Sequence, residues 1–161
     1  MAVYYLDTSA IMKRYRTEQG ADITNELFED SLAEDQFYFS FLSILKMTSS
    51  IVRSVKGKRL QETLGTEILA RFRRDVLDIY RVWPMDEHIT RSAVSVVENH
   101  KLRSGDAIHL ASALEVQSIA PDLTVVMVST DLELLEASTT AGIVILNPQD
   151  ANASIILSRL R

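Results

Sequence analysis

Short apolar runs alternate along this chain with longer segments in which apolar residues recur every three or four positions. The short runs are rich in β-branched and aromatic residues, and an uninterrupted apolar run is typical of a strand buried on both faces. Strands are predicted at residues 3–6, 36–40, 122–130 and 143–146, with a fifth short strand or extended connector at 81–85.

The segments between these runs have the spacing of amphipathic helices. Helices are predicted over residues 9–15, 20–34, 41–58, 60–80, 86–101, 104–117 and 131–142. The residues predicted to share a face are Leu42, Leu45, Ser49 and Val52 in the third, Leu64, Ile68, Phe72 and Val76 in the fourth, and Ile89, Ala93 and Val96 in the fifth.

Strands that alternate with helices predict one α/β domain, with a parallel sheet covered on both faces. The 161 residues suit a single domain with one substantial core. No internal repeat, low-complexity tract or linker divides the sequence. The final segment, ANASIILSRLR, is predicted to form a short helix, either packed on the same core or available to a partner.

The composition excludes several kinds of site. The chain has no cysteine, which rules out disulfides, thiolate zinc sites and cysteine nucleophiles. A net charge of −5 argues against nucleic-acid binding over the whole surface, but it leaves room for a local basic groove. Neither a signal-peptide pattern nor an apolar run of membrane-spanning length is present, so we expect a cytoplasmic protein without membrane association.

Three aspartates adjoin strand ends or helix starts. Asp7 ends the first strand, Asp131 follows VVMVST, and Asp106 opens the AIHLASAL helix. In an open parallel sheet, ligands bind outside the carboxyl ends of the strands, where these residues can meet. Each could instead cap a helix, which contributes roughly 0.3–2 kcal/mol. Capping explains Asp7 least well, because Thr8 or Ser9 could cap the first helix without placing a charge at the end of a buried strand.

Clustered carboxylates favour a hard cation, because they repel one another and resist joint ionisation. Mg²⁺ prefers oxygen ligands, keeps several waters and bridges to phosphate oxygens. A site of this kind can activate a water for attack on a phosphodiester. Ser9 and Thr130 are candidates for orienting a carboxylate or a bound water.

Three segments carry a family resemblance: YLDTSAIMKRY, LRSGDAIHLASAL and VSTDLELLEASTTAGIVILNP. Their order and spacing resemble the acidic motifs of PIN-domain proteins, and within that family the VapC-type toxins of toxin–antitoxin pairs. The resemblance extends from residue 3 to about residue 148. It implies a three-layer α/β/α sandwich with a central parallel sheet, formed by a PIN-like domain over 1–148, with 149–161 as a tail helix of the same domain.

The same resemblance implies an activity and a site. It implies cleavage of RNA that depends on Mg²⁺ or Mn²⁺, a homodimer, and inhibition by an antitoxin protein. On the matching positions, Asp7, Asp106 and Asp131 would be the catalytic metal ligands. Ser9 and Thr130 would be their supporting polar groups.

One position departs from the family pattern. Members usually carry Ser-x-Leu-Thr-x-x-Glu after the second strand, whereas SFLSILK places Lys46 where that Glu belongs. No acid between residues 36 and 60 replaces it. An ammonium beside Asp7 and Asp106 is expected to pair with them and compete with a metal ion. At an effective dielectric near 20, one such contact is worth roughly 4 kcal/mol before desolvation.

Several explanations of Lys46 stay open. The lysine inactivates the site, leaves weak activity with one metal ion, binds a substrate phosphate, or snorkels to solvent. The first gives an alternative function, a degenerate PIN domain that binds RNA or an antitoxin-like protein. A phosphohydrolase with Asp7 as nucleophile is disfavoured, because DTS lacks a second acid two residues on.

Basic residues are a further candidate feature. They gather in KMTSSIVRSVKGKR and near Arg103, which lies three residues before Asp106 and could reach an RNA phosphate. Solvated helix faces are the commoner explanation of such clusters. His109 lies one turn after Asp106 in a helix rich in Ala and Leu, and it is predicted to be a core histidine or one that supports the site.

Overall fold

The computed structural model describes residues 2–160, in which strands and helices alternate. The strands are β1 (Ala2–Leu6), β2 (Gln36–Ser40), β3 (Tyr80–Trp83), β4 (Thr124–Val128) and β5 (Val144–Leu146). The helices are α1 (Thr8–Tyr15), α2 (Ala21–Glu29), α3 (Phe41–Lys56), α4 (Glu62–Asp78), α5 (Glu87–His100), α6 (Ser104–Ile119), α7 (Leu132–Thr140) and α8 (Ala153–Leu160). Each predicted strand and helix has a counterpart among these elements.

All five strands form one parallel sheet with the order β3-β2-β1-β4-β5, which confirms the predicted fold class. The chain moves outward from β1 to β2 and β3, and then returns to the other side of β1 for β4 and β5. The boundary between β1 and β4 is therefore the switch point, where α/β sheets open a crevice for ligands. The register pairs Leu6 with Val128, so Asp7 and Ser129 leave the sheet side by side.

Two hydrophobic clusters lie on opposite faces of the sheet. Because side chains alternate along a strand, Tyr4 and Leu6 of β1 enter one cluster, while Val3 and Tyr5 enter the other. The first cluster contains residues of α1, α2, α3, α4 and α8. The second contains residues of α5, α6 and α7. The result is three layers, with the sheet in the middle.

The residues predicted to share a face of α3 do share one, but this face points outward. Leu45 is 68% exposed and Val52 is 52% exposed, whereas Met47 and Ile51 are fully buried. Helix α3 has apolar residues on more than one face, so its periodicity alone does not identify the inward side. The long side chains of Met47 and Ile51 fill the core over the sheet, and this packing selects the face.

The faces of α4 and α5 agree better with the pattern. In α4, Ile68 and Phe72 are buried as predicted, but Leu64 is 44% exposed. In α5, the predicted residues Ile89, Ala93 and Val96 are all buried.

The segment after β5 returns to the first cluster. Ala153 and Leu157 of α8 are buried there. Gly20, before α2, has a φ of +83°, and a Cβ on it would lie 2.7 Å from the carbonyl oxygen of Pro148. The chain therefore approaches α2 closely after β5, while Arg161, the last residue of the predicted tail, lies outside the described residues. Within residues 2–160, no helix combines the length and apolarity needed to cross a lipid bilayer.

A matched pair of substitutions tests this close approach. Gly20 and Gly142 have nearly the same left-handed φ, +83° and +82°, but a Cβ on Gly142 would have nothing within 4 Å. Gly142→Ala is expected to lower the free energy of unfolding by about 1–2 kcal/mol, from backbone strain alone. Gly20→Ala is expected to cost roughly 1–3 kcal/mol more, because the Pro148 backbone must move.

Chemical denaturation of both variants at neutral pH measures the difference. Equal losses would show that the Pro148 segment does not pack against the start of α2.

Candidate active site at the carboxyl ends of β1 and β4

The site forms where β1 and β4 end, at the switch point of the sheet. Asp7 follows β1 directly, and its backbone N–H donates to the carbonyl of Val128 at 3.1 Å. Ser129 to Asp131 follow β4 and lead into α7. Two parallel neighbours that end at the same level thus bring the first and third acidic motifs together.

Two serines hold the Asp7 carboxylate. Ser9 Oγ donates to Oδ1 at 2.7 Å, and Ser129 Oγ donates to Oδ2 at 2.9 Å. Each hydroxyl also accepts a backbone N–H from the β4–α7 turn: Thr130 donates to Ser9, and Asp131 donates to Ser129, both at 3.0 Å. The serines therefore orient Asp7 and tie it to the turn that carries Asp131.

Capping and site formation are combined in the same residues. Asp7 caps α1, because its Oδ1 accepts the N–H of Ala10 at 2.9 Å. Asp131 caps α7 by accepting the N–H of Leu134 at 3.1 Å. The expectation that capping suits Asp7 poorly is therefore wrong. An ionised carboxylate has about four acceptor positions, so a cap leaves capacity for another ligand.

Asp106 lies inside the first turn of α6 rather than at its start, because the helix already begins at Ser104. Burial raises the pKa of Asp106 most, and the negative charge of Asp131 raises it next, followed more weakly by that of Asp7. The positive charges of Lys46 and Arg103 act in the opposite direction. The three aspartates thus lie within electrostatic reach of one another, although they come from three separate parts of the chain.

Lys46 projects from α3 toward the same place. It is half-buried, and its Nζ lies 3.5 Å from the point that a Cβ would occupy on Gly105. Among the described residues, no carboxylate oxygen lies within 4 Å of this ammonium, so the expected direct pair with Asp7 or Asp106 does not form. Its charge nonetheless lowers the pKa of both carboxyls.

Asp7 illustrates the balance between burial and compensation. Its side chain is almost completely buried, and this burial raises the pKa of its carboxyl. Hydrogen bonds from Ser9, Ala10 and Ser129, and then the charge of Lys46, lower that pKa. These donors and the lysine offset the burial only in part, so the pKa of Asp7 stays above its usual value.

The donor set fits a hard cation with a water-rich coordination shell. Over residues 2–160, no three acidic or histidine side chains are already arranged as a metal-binding group. Mg²⁺ commonly takes only one or two carboxylates and fills its other positions with waters and phosphate oxygens. The mutual repulsion of Asp106 and Asp131 is the kind of charge that such an ion would relieve.

Thr130 has a role that differs from the prediction. Thr130 contributes its backbone N–H, while the hydroxyl contact to Asp7 comes from Ser129, which the sequence analysis missed. The sequence feature that could have identified Ser129 is its position directly after β4, because Asp7 directly follows the neighbouring strand β1. His109 is a core residue, fully buried in edge contact with the Tyr5 ring, and burial followed by the charge of Lys46 lowers its pKa to about 3.

Asp106→Asn is expected to stabilise the metal-free protein at pH 7, by an amount on the order of 1 kcal/mol. The raised pKa of Asp106 means that its ionised form is disfavoured in the folded state. In the wild type, the protonated Asp106 carboxyl stabilises the folded state. This stabilisation is complete below about pH 3.9, the pKa of Asp in the unfolded chain, and it is lost as pH rises through the higher pKa of Asp106 in the folded protein. The advantage of the variant should therefore shrink on acidification.

Urea denaturation between pH 4 and pH 8 measures this, with the exposed Asp122→Asn as control. The lowered pKa of His109 costs stability as pH falls from about 6.5, but it acts equally on both proteins and cancels in their difference. A variant that is less stable than the wild type at pH 7 contradicts the charge repulsion at this site.

Comparison with known proteins connects this site to a family. Residues 4–137 match the family described as PIN domain. The chain is also 32% identical over 147 residues to Ribonuclease VapC35 of Mycobacterium tuberculosis (strain CDC 1551 / Oshkosh), a match that covers 91% of this chain and 98% of that protein.

Solved structures share the fold at lower identity. FitAcB from Neisseria gonorrhoeae superposes with a TM-score of 0.67 and 16% identity, over 90% of this chain and 97% of that chain. VapBC2 from Rickettsia felis, solved bound to a DNA fragment from their promoter, gives a TM-score of 0.61 and 12% identity, over 90% and 98%. These matches confirm the resemblance carried by the acidic motifs, and the chain belongs to the PIN-domain family.

Proposed function

We propose that this protein is a metal-dependent endoribonuclease and the toxin of a toxin–antitoxin pair. The observation that carries the proposal is the hydrogen-bonded link between Asp7 and the turn that carries Asp131, with Asp106 within electrostatic reach of both, at the switch point of a PIN-domain sheet. The relative with 32% identity, named a ribonuclease, supports RNA as the substrate.

Asp7, Asp106 and Asp131 would hold Mg²⁺ or Mn²⁺. When bound there, a divalent ion supplies an activated water and neutralises charge on the phosphodiester. The protein's own part is positional. Ser9 and Ser129 fix the orientation of Asp7. The cap at Asp131 orients the third carboxylate, and Ser129 connects its backbone to the first.

The cations beside the carboxylates have a part in substrate binding. Lys46 and Arg103 both act electrostatically on Asp106, and Arg103 is exposed at the start of α6. An RNA phosphate that enters the site carries negative charge toward three carboxylates, so cations at its edge reduce the repulsion. We assign Lys46 and Arg103 to this role.

We also propose an antitoxin protein as partner, a homodimer as the assembly, and the cytoplasm as the location. Toxin–antitoxin complexes among the structural neighbours, such as the one from Klebsiella pneumoniae, support the antitoxin. The outward face of α3 carries Phe41, Leu45 and Val52, which are all more than half exposed. Apolar residues aligned on one exposed helix face are typical of a protein–protein contact.

The position of Lys46 supports one alternative, a degenerate PIN domain that binds RNA or an antitoxin-like protein without cutting. Its ammonium already lowers the pKa of Asp7 and Asp106, which is part of what a metal ion would do. The Asp7-nucleophile phosphohydrolase has no such support, because no second acid lies two residues after Asp7.

Substitution of the aspartates tests the activity. Asp7→Asn, Asp106→Asn and Asp131→Asn are each expected to lower RNA cleavage with Mn²⁺ by about 100-fold or more, which corresponds to about 2.7 kcal/mol of transition-state stabilisation. The exposed Asp122→Asn, at the opposite end of β4, should cleave like the wild type. Gel-resolved cleavage of end-labelled RNA is the measurement, and unchanged cleavage in the first three variants rules the assignment out.

Calorimetric titration with Mn²⁺ separates the two functions. The proposed nuclease is expected to bind Mn²⁺ as the natural chain and to lose that binding in Asp106→Asn. A degenerate domain is expected to bind Mn²⁺ only as Lys46→Glu, which restores a carboxylate where the family has Glu. Lys56→Glu makes the same charge change at an exposed position of α3 and serves as the control.

A further inference from the structure

A groove next to the carboxylates concentrates positive charge. It has a volume of about 690 Å³ and lies between the end of α1, the length of α3 and the turn that follows α3. Four cations line it: Arg16, Lys46, Arg53 and Arg59. We call this feature the basic groove.

The charge of the basic groove is not neutralised by the protein itself. No acidic residue is among its lining residues, although the whole chain has a net charge of −5. In the part of the chain that the structure describes, none of the four cations has a carboxylate oxygen within 4 Å. Four unpaired cations around one cavity repel each other, and an anionic ligand removes that repulsion.

The basic groove leads into the proposed active site. Thr8, which lines it, directly follows Asp7. Lys46 also lines it, and Lys46 acts electrostatically on Asp7 and Asp106. A chain of anionic groups lying along the groove would therefore end with one group beside the carboxylates.

The lining points to a phosphodiester backbone rather than to bases. Ser49 and Ser50 add hydroxyl donors to the four cations, Leu45 is the one apolar side chain of the lining, and no aromatic side chain lines the groove. Bases of single-stranded nucleic acids are usually held by stacking on aromatic rings, whereas phosphates are held by Arg, Lys and hydroxyl groups. The volume exceeds the need of a single phosphate and suits a longer ligand.

We propose that the basic groove binds the phosphodiester backbone of the RNA on one side of the cleavage position, with Lys46 at the inner end next to the carboxylates. This inference rests on the proposed ribonuclease function and adds a substrate path to it. The groove supplies affinity and register, while contacts of this kind carry no base specificity.

The test compares two double variants of equal charge. Arg53→Ala with Arg59→Ala removes two exposed cations of the groove, whereas Arg73→Ala with Arg74→Ala removes two exposed cations of α4 outside it. Binding is measured by fluorescence anisotropy in EDTA, so that cleavage does not interfere. The probes are labelled oligouridine and oligoadenosine RNAs of about 12 nucleotides.

The groove variant is expected to bind both RNAs about tenfold more weakly than the wild type. Its slope of log affinity against log salt should be smaller by about 1.4, since each lost phosphate contact on a single strand accounts for about 0.7. The control variant should keep most of its RNA affinity and most of its salt slope. Circular dichroism confirms that all the variants are folded.

Three outcomes overturn the basic groove as an RNA path. They are unchanged RNA binding in the groove variant, an equal loss in the control variant, and binding of an acidic peptide such as oligoglutamate that depends on Arg53 and Arg59 while RNA binding does not. The last outcome would assign the groove to a protein partner.

Cleavage assays with Mn²⁺ keep this inference separate from the proposed function. If the wild type binds RNA through the groove but never cleaves it, the groove stands and the nuclease function fails. If the wild type cleaves RNA and the groove variant keeps the same KM, the function stands and the groove is overturned. A raised KM of the groove variant with little change in kcat supports both the nuclease function and the groove as its RNA path.

Discussion

The burial of one carboxylate, Asp7, at the boundary between β1 and β4 is the constraint on which the site depends. A buried ionised carboxylate is costly unless donors surround it. Ser9, Ser129 and the N–H of Ala10 provide those donors, and two of them connect Asp7 to the turn after β4. The hydrogen bonds that favour the ionised form of Asp7 against its burial therefore also connect the first and the third acidic segments.

Helix capping uses the same property of these side chains that the proposed metal binding would use. A helix N-terminus presents unpaired N–H groups and a partial positive charge, so an aspartate is stable there in its ionised form. The caps at Asp7 and Asp131 hold each carboxylate in one orientation before any cation arrives. Asp106 has less support, because it stands in a first turn facing the charges of Asp131 and Asp7. Repulsion at Asp106 is thus present in the folded protein, and the proposed cation would relieve it.

Lys46 places a positive charge beside the carboxylates of this site. Its ammonium, on α3, lies against Gly105 at the start of α6. The site then has positive charge on one side and three carboxylates on the other. This polarity continues outward into the basic groove, so a substrate would meet cations first and carboxylates last.

The alternation of apolar runs and amphipathic segments was enough to predict the parallel sheet and the order of its helices. The acidic motifs predicted that three distant aspartates share one site, and their role as metal ligands stays a prediction. Both follow from local information, because strand burial and helix periodicity are written in neighbouring residues. The inward face of α3 was not predictable in this way, since Leu45 and Met47 are both apolar and only packing against the sheet distinguishes them.

The details of the site also needed the tertiary structure. Ser129 joins Asp7 because the register aligns Leu6 with Val128, two residues far apart in the sequence. Arg16, Lys46 and Arg59 line one groove because α1 and α3 meet on the same face of the sheet. The sequence by itself determined which residue types and elements were present, whereas the fold decided which charges face one another, because electrostatic interactions depend on distances that only packing sets.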